Sequence, residues 1–119
     1  MNNKEFGKQM EERTKRFAIS IITVSSALTK TSEGLVIKNQ LTKSGTSIGA
    51  NYREANRSKS QADFKNKIKI CEGEASETIY WLEIIESLNW IETNTLKPIM
   101  DEANELLAIF TSISQHLKP

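Results

Sequence analysis

Residues 44–55 have the sequence SGTSIGANYREA, and this stretch decides how the chain folds. Its small residues stand where a helix would need them to pack closely against a neighbour. Gly45 and Gly49 are four residues apart, so they share one face of a helix. Each costs about 1 kcal/mol relative to alanine inside a helix, and either a close approach of another backbone or a bend would compensate. A loop through residues 44–47 is the alternative interpretation.

Hydrophobic periodicity on both sides of this stretch predicts four helices and no strand. The first apolar stripe runs from Phe6 to Leu28, and the second helix is predicted over about residues 34–57. The third is predicted to begin at Ser58, which has capping-box spacing to Gln61, with a stripe from Phe64 to Leu88.

A polar link over residues 92–94 is expected to precede the fourth helix. Asn94 or Thr95 would cap this helix, and Pro98 would be tolerated in its first turn. Its apolar stripe extends to Leu117. Six residues of the first, third and fourth stripes are predicted to be buried: Phe17, Ile21, Ile68, Leu82, Leu107 and Phe110.

Long helices with short links bury their stripes when they pack antiparallel. The sequence therefore predicts an all-α, up-and-down four-helix bundle, as a single domain over residues 1–119, with at least roughly 70% helix. A chain of 119 residues with 38% hydrophobic and 26% charged residues is typical of one globular domain. Uncharged residues 17–29 are too few for a membrane span, which needs about 20 apolar residues. No secretory signal pattern is present at the N-terminus, so a cytoplasmic location is expected.

The charge of the chain divides at Cys71. Residues 1–71 carry 14 lysines and arginines against six acids, a net charge of +8, while residues 72–119 carry two against nine, a net charge of −7. Basic helices can neutralise acidic ones across the seams of an antiparallel bundle. A basic surface can also bind polyanions. The division of charge is compatible with both interpretations.

The residue types that carry catalysis or bind metals do not form a recognisable pattern. His116 has no second histidine and no cysteine near it in the sequence, so a metal site or nucleophile–base pair has little support. Cys71 lies on the apolar stripe of the third helix, which indicates a buried thiol. Carboxylate metal sites in bundles use a Glu-x-x-His motif, which is absent. We therefore predict no catalytic residue, no metal site and no cofactor.

A cluster of basic residues is the candidate binding site. Arg53 and Arg57 are four apart and share a helical face, Lys59 follows them, and Lys43 precedes them. The planar fork of arginine matches the geometry of phosphate, and basic residues near a nucleic-acid backbone release its counterions. We predict that Arg53, Arg57, Lys59 and Lys43 contact nucleic acid.

Internal ion pairs are the competing explanation of the same residues. Arg53 would then pair with Glu77 or Glu83 across a helix seam, and Arg57 would pair with Glu54 within its own helix. A chain paired in this way would be a protein-binding or assembly scaffold with no nucleic-acid ligand.

Several motifs of this chain occur together in one family. They are residues 44–55, Arg57-Ser58, Asp63-Phe64, Lys67-Ile68, residues 74–78 and residues 80–83. With them the chain resembles the bacterial four-helix-bundle family of 23S ribosomal RNA intervening-sequence proteins, and it is similar to the accessory variability proteins of diversity-generating retroelements. The match is dense over residues 42–86. Many members have proline where this chain has Gly49, and an acidic residue followed by glycine where it has Glu54-Ala55.

The resemblance implies a bundle that assembles into a ring-like homopentamer and has no catalytic activity. It also implies that a basic surface binds RNA or a nucleic-acid-processing protein. Gly45, Gly49, Trp81 and Trp90 are the residues predicted to serve the oligomer interface or close packing. Aromatic side chains, Tyr52 and Tyr80 among them, are expected to support the core or this interface rather than stack on bases.

Overall fold

Four long α-helices make up most of the computed structural model, which describes residues 2–117. The helices are α1 (Asn3–Ser26), α2 (Ser32–Asn56), α3 (Gln61–Ser87) and α4 (Thr93–His116). They contain 24, 25, 27 and 24 residues, so the helical content exceeds the predicted value of roughly 70%. No strand occurs between residues 2 and 117, as the periodicity predicts.

Each helix packs beside the next one along the chain, and α1 contacts α4 more sparsely to complete the bundle. The connections are only four or five residues long, so successive helices run antiparallel. The molecule is 44 Å long, close to the length of about 40 Å that the 27 residues of α3 span at ~1.5 Å per residue. The predicted four-helix bundle is therefore confirmed.

Side-chain caps begin three of the helices. Asn2, Thr31 and Ser60 each accept a hydrogen bond from the backbone N–H three residues later, at 2.8, 3.0 and 3.0 Å. The predicted start of α3 at Ser58 is wrong, because the Ser58 hydroxyl instead donates to the carbonyl of Ala55 at the end of α2. The chain then needs two more residues to turn before α3 begins.

The connection between α3 and α4 comes earlier in the chain than predicted. α3 ends when Asn89 adopts a left-handed backbone conformation, with φ of 55°, which asparagine tolerates better than most residues. The link therefore occupies residues 88–92 rather than 92–94. Leu88, placed on the apolar stripe from the sequence, lies in this link and is exposed.

Helix α4 begins at Thr93, so neither Asn94 nor Thr95 caps it. The residue at the cap position is Glu92, which makes no capping hydrogen bond with its side chain. Pro98 consequently lies in the second turn rather than the first. It is exposed, and the carbonyl that its missing N–H would have bonded belongs to the exposed Asn94.

Five of the six residues predicted to be buried are buried, and Leu107 is the exception. Leu107 is half-buried, and the adjacent Leu106 is fully buried. Both leucines have apolar partners three or four residues away, so spacing alone could not choose between them. Phe6 differs similarly, because it is 37% exposed near the N-terminus of α1.

Candidate functional site

Gly45 and Gly49 lie where α2 packs against α1 of the same chain. A Cβ atom added at Gly45 would be 2.6 Å from Cγ2 of Ile21, and one added at Gly49 would be 3.1 Å from Oγ1 of Thr14. α2 runs unbroken through residues 44–47, so the loop interpretation is wrong. The missing side chains accommodate a close approach between two helices of one subunit.

Small side chains at this seam leave a shallow groove on its outer side, which we call the α1–α2 groove. Two adjoining depressions of about 360 and 350 Å³ form it, and both are lined by Glu11. Lys4 and Lys8 line the first depression, and Lys15 and Arg53 line the second. The groove therefore presents four cations around one carboxylate.

The carboxylate of Glu11 has partners on α2. Its Oε1 atom is 3.8 Å from Nε of Arg53, and its Oε2 atom accepts a hydrogen bond from Nδ2 of Asn56 at 2.9 Å. The alternative pairing of Arg53 with Glu77 or Glu83 does not form among residues 2–117. In an antiparallel hairpin the end of α2 lies beside the start of α3, and both glutamates come at least four turns later in α3.

Arg57 and Lys59 lie where α2 turns into α3. Arg57 is the C-terminal cap residue of α2, Lys59 belongs to the loop, and both are exposed. No ion pair within 4.0 Å joins either of them to another residue in the range 2–117, so the alternative pairing of Arg57 with Glu54 does not form. Their charges face solvent.

Lys43 is separated from the other predicted contact residues. It is exposed and shares the outer face of α2 with Arg57, but the two positions are 14 residues apart in the chain. At a rise of ~1.5 Å per residue this is about 21 Å along the helix axis. The structure brings Arg53, Arg57 and Lys59 to one end of the bundle and leaves Lys43 near its middle.

Sequence reasoning missed the lysines of α1. Lys4, Lys8 and Lys15 are spaced by four and seven residues, so they recur on one helical face. That spacing was a usable signal. Residues 43–69 hold a denser run of basic residues, which dominates the charge pattern of the sequence.

A larger cavity opens where the N-termini of α1 and α3 meet the C-termini of α2 and α4. Its volume is about 720 Å³. Aromatic residues Phe6, Tyr52 and Phe64 line it together with polar ones, and it shares Asn3 and Asn56 with the first depression of the groove. We call it the end cavity.

Two polar groups of the end cavity, the Tyr52 hydroxyl and the His116 imidazole, have surroundings that define their hydrogen-bonding roles. Burial raises the pKa of the Tyr52 hydroxyl above its ordinary value, and a hydrogen bond with Asn56 partly opposes this, so the hydroxyl keeps its proton at neutral pH. Nδ1 of His116 lies 2.7 Å from the carbonyl oxygen of Ser112. A carbonyl only accepts, so Nδ1 carries the proton and Nε2 is left for other partners.

The aromatic residues of α3 and the following link differ in exposure. Trp81 is half-buried, and its Nε1 donates to Glu77 Oε2 at 3.1 Å. Trp90 is half-buried against the core. Tyr80 is 55% exposed and contacts the Trp81 ring edge-on at a centroid distance of 5.0 Å. The two tryptophans thus pack within the subunit, and the exposed aromatic residue is Tyr80.

The outer face of α3 and the first residue of the following link carry apolar side chains that the subunit does not cover. Ile70, Tyr80 and Leu88 are exposed and Ile84 is half-buried, and we call these four the α3 apolar stripe. Gly73 lies on the same face, and a Cβ atom added there would meet nothing within 4 Å. The packing of the subunit therefore does not require glycine at this position.

Cys71 is a buried thiol, as predicted. Its Sγ atom donates to the carbonyl of Ile48 at 3.6 Å across the α2–α3 seam. Burial raises the pKa of this thiol to about 12, so it stays protonated and poorly nucleophilic at neutral pH.

Within residues 2–117, no group of three or more His, Cys, Asp and Glu side chains lies close enough together to hold a metal ion. None of the four helices is long and apolar enough to cross a membrane.

Comparison with known proteins places this geometry in a family. The family model for the 23S rRNA-intervening sequence protein matches residues 8–112. The chain belongs to this family. The match includes the glycine seam, Arg53, Arg57 and Lys59, whereas Phe6 and His116 of the end cavity lie outside it.

A crystal structure from the S23 ribosomal protein family shows the same fold. It is that of a protein with unknown function from Bacteroides thetaiotaomicron. The two chains share 35% sequence identity and superpose with a TM-score of 0.82, over 88% of this chain and 97% of the other. No curated protein matches the chain.

Proposed function

We propose that this protein is a non-enzymatic, nucleic-acid-binding bundle that contacts the backbone of RNA through basic residues at one end. The observation that carries the proposal is the exposure of Arg57 and Lys59 without an ion-pair partner among residues 2–117. Unneutralised cations at the end of a groove are suited to phosphate. Membership of a family named for an intervening sequence of 23S rRNA favours RNA as the polyanion.

The neighbouring sequence adds to this positive potential. Residues 53–69 contain six lysines and arginines against two acids, a net charge of +4. Lys4, Lys8 and Lys15 extend the cations along the α1–α2 groove. A backbone that follows the groove would exchange its counterions for these side chains, which is a mode of binding that reads shape and charge rather than sequence.

The direct test is the double variant Arg57→Gln with Lys59→Gln. The fold should survive, because exposed charges contribute only about 0 to 1 kcal/mol to stability. RNA affinity should fall for unrelated sequences. The slope of the logarithm of affinity against the logarithm of salt concentration should flatten by about one for each lost phosphate contact. Fluorescence anisotropy at several salt concentrations measures both quantities.

A charge-matched control uses Lys30→Gln with Lys38→Gln. Lys30 lies in the loop between α1 and α2, and Lys38 lies in the first half of α2, so both are nearer the opposite end of the bundle. Both are exposed, and the variant loses the same charge. It should bind RNA nearly as the parent does. The proposal fails if the Arg57 and Lys59 variant binds like the parent at every salt concentration, or if the parent does not bind RNA.

A second proposal concerns assembly, because the α3 apolar stripe has no partner in the described part of the subunit. We infer that the protein forms a homo-oligomer through this stripe, and a pentameric ring is the assembly that the family resemblance implies. Gly73 supports the inference: it costs about 1 kcal/mol relative to alanine in a helix, and a partner that approaches closely would compensate. A scaffold that only assembles, without binding RNA, would use the same surface.

Light scattering on the parent and on Tyr80→Lys tests the assembly. The parent should be larger than a monomer at protein concentrations of roughly tens of micromolar, where a stable interface is populated. Tyr80→Lys should dissociate it, since the lysine would be buried unpaired. Leu35→Lys changes a comparably exposed residue on α2 and should leave the assembly intact. A monomeric parent would refute this proposal.

A further inference from the structure

We infer that the end cavity receives one unstacked base of a single-stranded nucleic acid, with the phosphates of that nucleotide held by the basic residues beside it. The inference rests on the proposed nucleic-acid binding and adds a base-contacting site to it. Three features of the cavity support it: its aromatic walls, its polar edge and its continuity with the basic groove.

The walls offer aromatic surface to a flat ligand. The volume of about 720 Å³ falls within the range of small-molecule sites, about 300 to 1,000 Å³. Phe6 is 37% exposed and Phe64 is half-buried. The ring pairs found in residues 2–117 join Tyr52 to Phe110 and Tyr80 to Trp81, so neither phenylalanine is engaged by another aromatic ring. Unpaired bases commonly stack on such side chains.

The edge of the cavity carries the polar groups that a base requires. The Ser112 side chain is exposed, and the Nδ1–H of His116 is occupied by the Ser112 carbonyl. Nε2 is therefore free to accept a hydrogen bond when it carries no proton and to donate one when it does, and the Ser112 hydroxyl can donate or accept. Asn3 adds an amide with both donors and an acceptor. A purely apolar ligand would leave these groups unsatisfied.

Basic residues adjoin, in the chain, the two asparagines that the cavity shares with the groove. Asn3 and Asn56, which line both the cavity and the groove, are followed directly in the chain by Lys4 and Arg57. The nearest carboxylate of the groove, Glu11, already interacts with Asn56 and Arg53. This charge complementarity favours a nucleotide over a neutral aromatic compound.

The experiment compares a 12-nucleotide single-stranded RNA with an abasic backbone of equal length, at one salt concentration. Phe6→Ala should weaken binding of the RNA by about tenfold and leave abasic binding unchanged, because only the base stacks on Phe6. Ile19→Ala removes another exposed apolar side chain from the same helix, one that does not line the cavity, and should alter neither. Ser112→Trp should fill the cavity without removing a core contact, and it should reproduce the Phe6→Ala effect.

A nuclear magnetic resonance titration with adenosine monophosphate gives an independent readout. His116 is the sole histidine of the chain, so its imidazole C–H signals are resolved without assignment of the rest. They should shift with the nucleotide in the parent and stay in place in Ser112→Trp. The same titration with toluene should produce no comparable shift. A shift with toluene and none with the nucleotide would make the cavity an apolar-ligand site and overturn the inference.

The two proposals fail in different ways. If Phe6→Ala and Ser112→Trp bind RNA as tightly as the parent, the base site is refuted. Backbone binding would still stand if the Arg57 and Lys59 variant weakens it. If RNA does not bind the parent but adenosine monophosphate shifts the His116 signals, the RNA proposal fails and the cavity is a mononucleotide site.

Discussion

Helix α1 packs against its two neighbours in contrasting ways. Against α2 the helices pack closely because Gly45 and Gly49, which have no side chain, face Ile21 and Thr14. Against α4 it is bridged by a long side chain, since the Arg13 guanidinium forms two hydrogen bonds of 2.6 and 2.7 Å to the Glu102 carboxylate. Glu105 adds a contact of 2.9 Å to the same guanidinium.

The difference between the seams explains how closely the helices pack and which basic residues are paired with acids. Glycine lets two backbones approach, whereas an arginine bridge holds them farther apart, in keeping with the sparse contact between α1 and α4. At the α1–α4 seam a basic residue from the first half of the chain meets acids from the second. Hydrogen bonds with Glu102, together with the charges of both acids, raise the pKa of Arg13 above its ordinary value. Neutralisation across a seam therefore accounts for Arg13 but not for Arg57 and Lys59.

The largest effect is expected from overpacking the glycine seam. Gly45→Leu should destabilise the protein by about 3 kcal/mol, because even a Cβ atom at this position would collide with Ile21. Gly73→Leu is the matched control at a protein concentration low enough for the subunit to be monomeric: it meets open space in the subunit and should be neutral or stabilise the helix by up to ~1 kcal/mol. Urea unfolding followed by circular dichroism measures both. Equal losses would show that the seam is not as tight as the structure describes.

An intermediate effect is expected at the ion-paired seam. A double-mutant cycle of Arg13→Met and Glu102→Gln should give a coupling of about 1 to 2 kcal/mol, since the two side chains are only 27% and 29% exposed and share two hydrogen bonds. The same cycle on the exposed pair of Lys97 and Asp101 should give about 0.3 to 0.5 kcal/mol. If the coupling energy of the Arg13 pair is no larger than that of the Lys97 pair, the ion pair does not stabilise the α1–α4 seam as the structure suggests.

The smallest effect is expected at a third seam, between α2 and α3, where the buried thiol of Cys71 should make stability depend on pH. The pKa of Cys71 is raised to about 12, above an ordinary value of 9.0. Between these values the unfolded chain loses a proton that the folded chain keeps, so stability should fall as pH rises above about 9, by roughly 1 kcal/mol at pH 10. Burial of Tyr52 acts in the same direction at higher pH.

Chemical denaturation from pH 7 to pH 10 tests this dependence. Cys71→Ala should be less stable overall, because it leaves a small cavity, but its stability should change less between pH 8 and pH 10. A parent whose stability stays constant to pH 10 would contradict the assignment of Cys71 as a buried, neutral thiol.

The sequence alone determined the parts that depend on local pattern. Helical periodicity predicted four helices and most of the core, and the motifs over residues 42–86 identified the family that the residue 8–112 match confirms. Boundaries were less well predicted, since Ser58 and Ser60 are both good capping residues and only the geometry of the turn selects Ser60. The candidate contact residues Arg57 and Lys59 could be proposed from the sequence because they are close together in it.

Only the tertiary structure decided which residues from different helices meet. Glu11 rather than Glu77 or Glu83 faces Arg53, because the antiparallel arrangement sets the level of each residue along the bundle. The end cavity combines Phe6, Phe64 and His116 from three helices, and no sequence period links them. The spacing of residues in the sequence shows which face of a helix each one occupies. Which residues of different helices meet depends on how the apolar stripes of all four helices pack against one another.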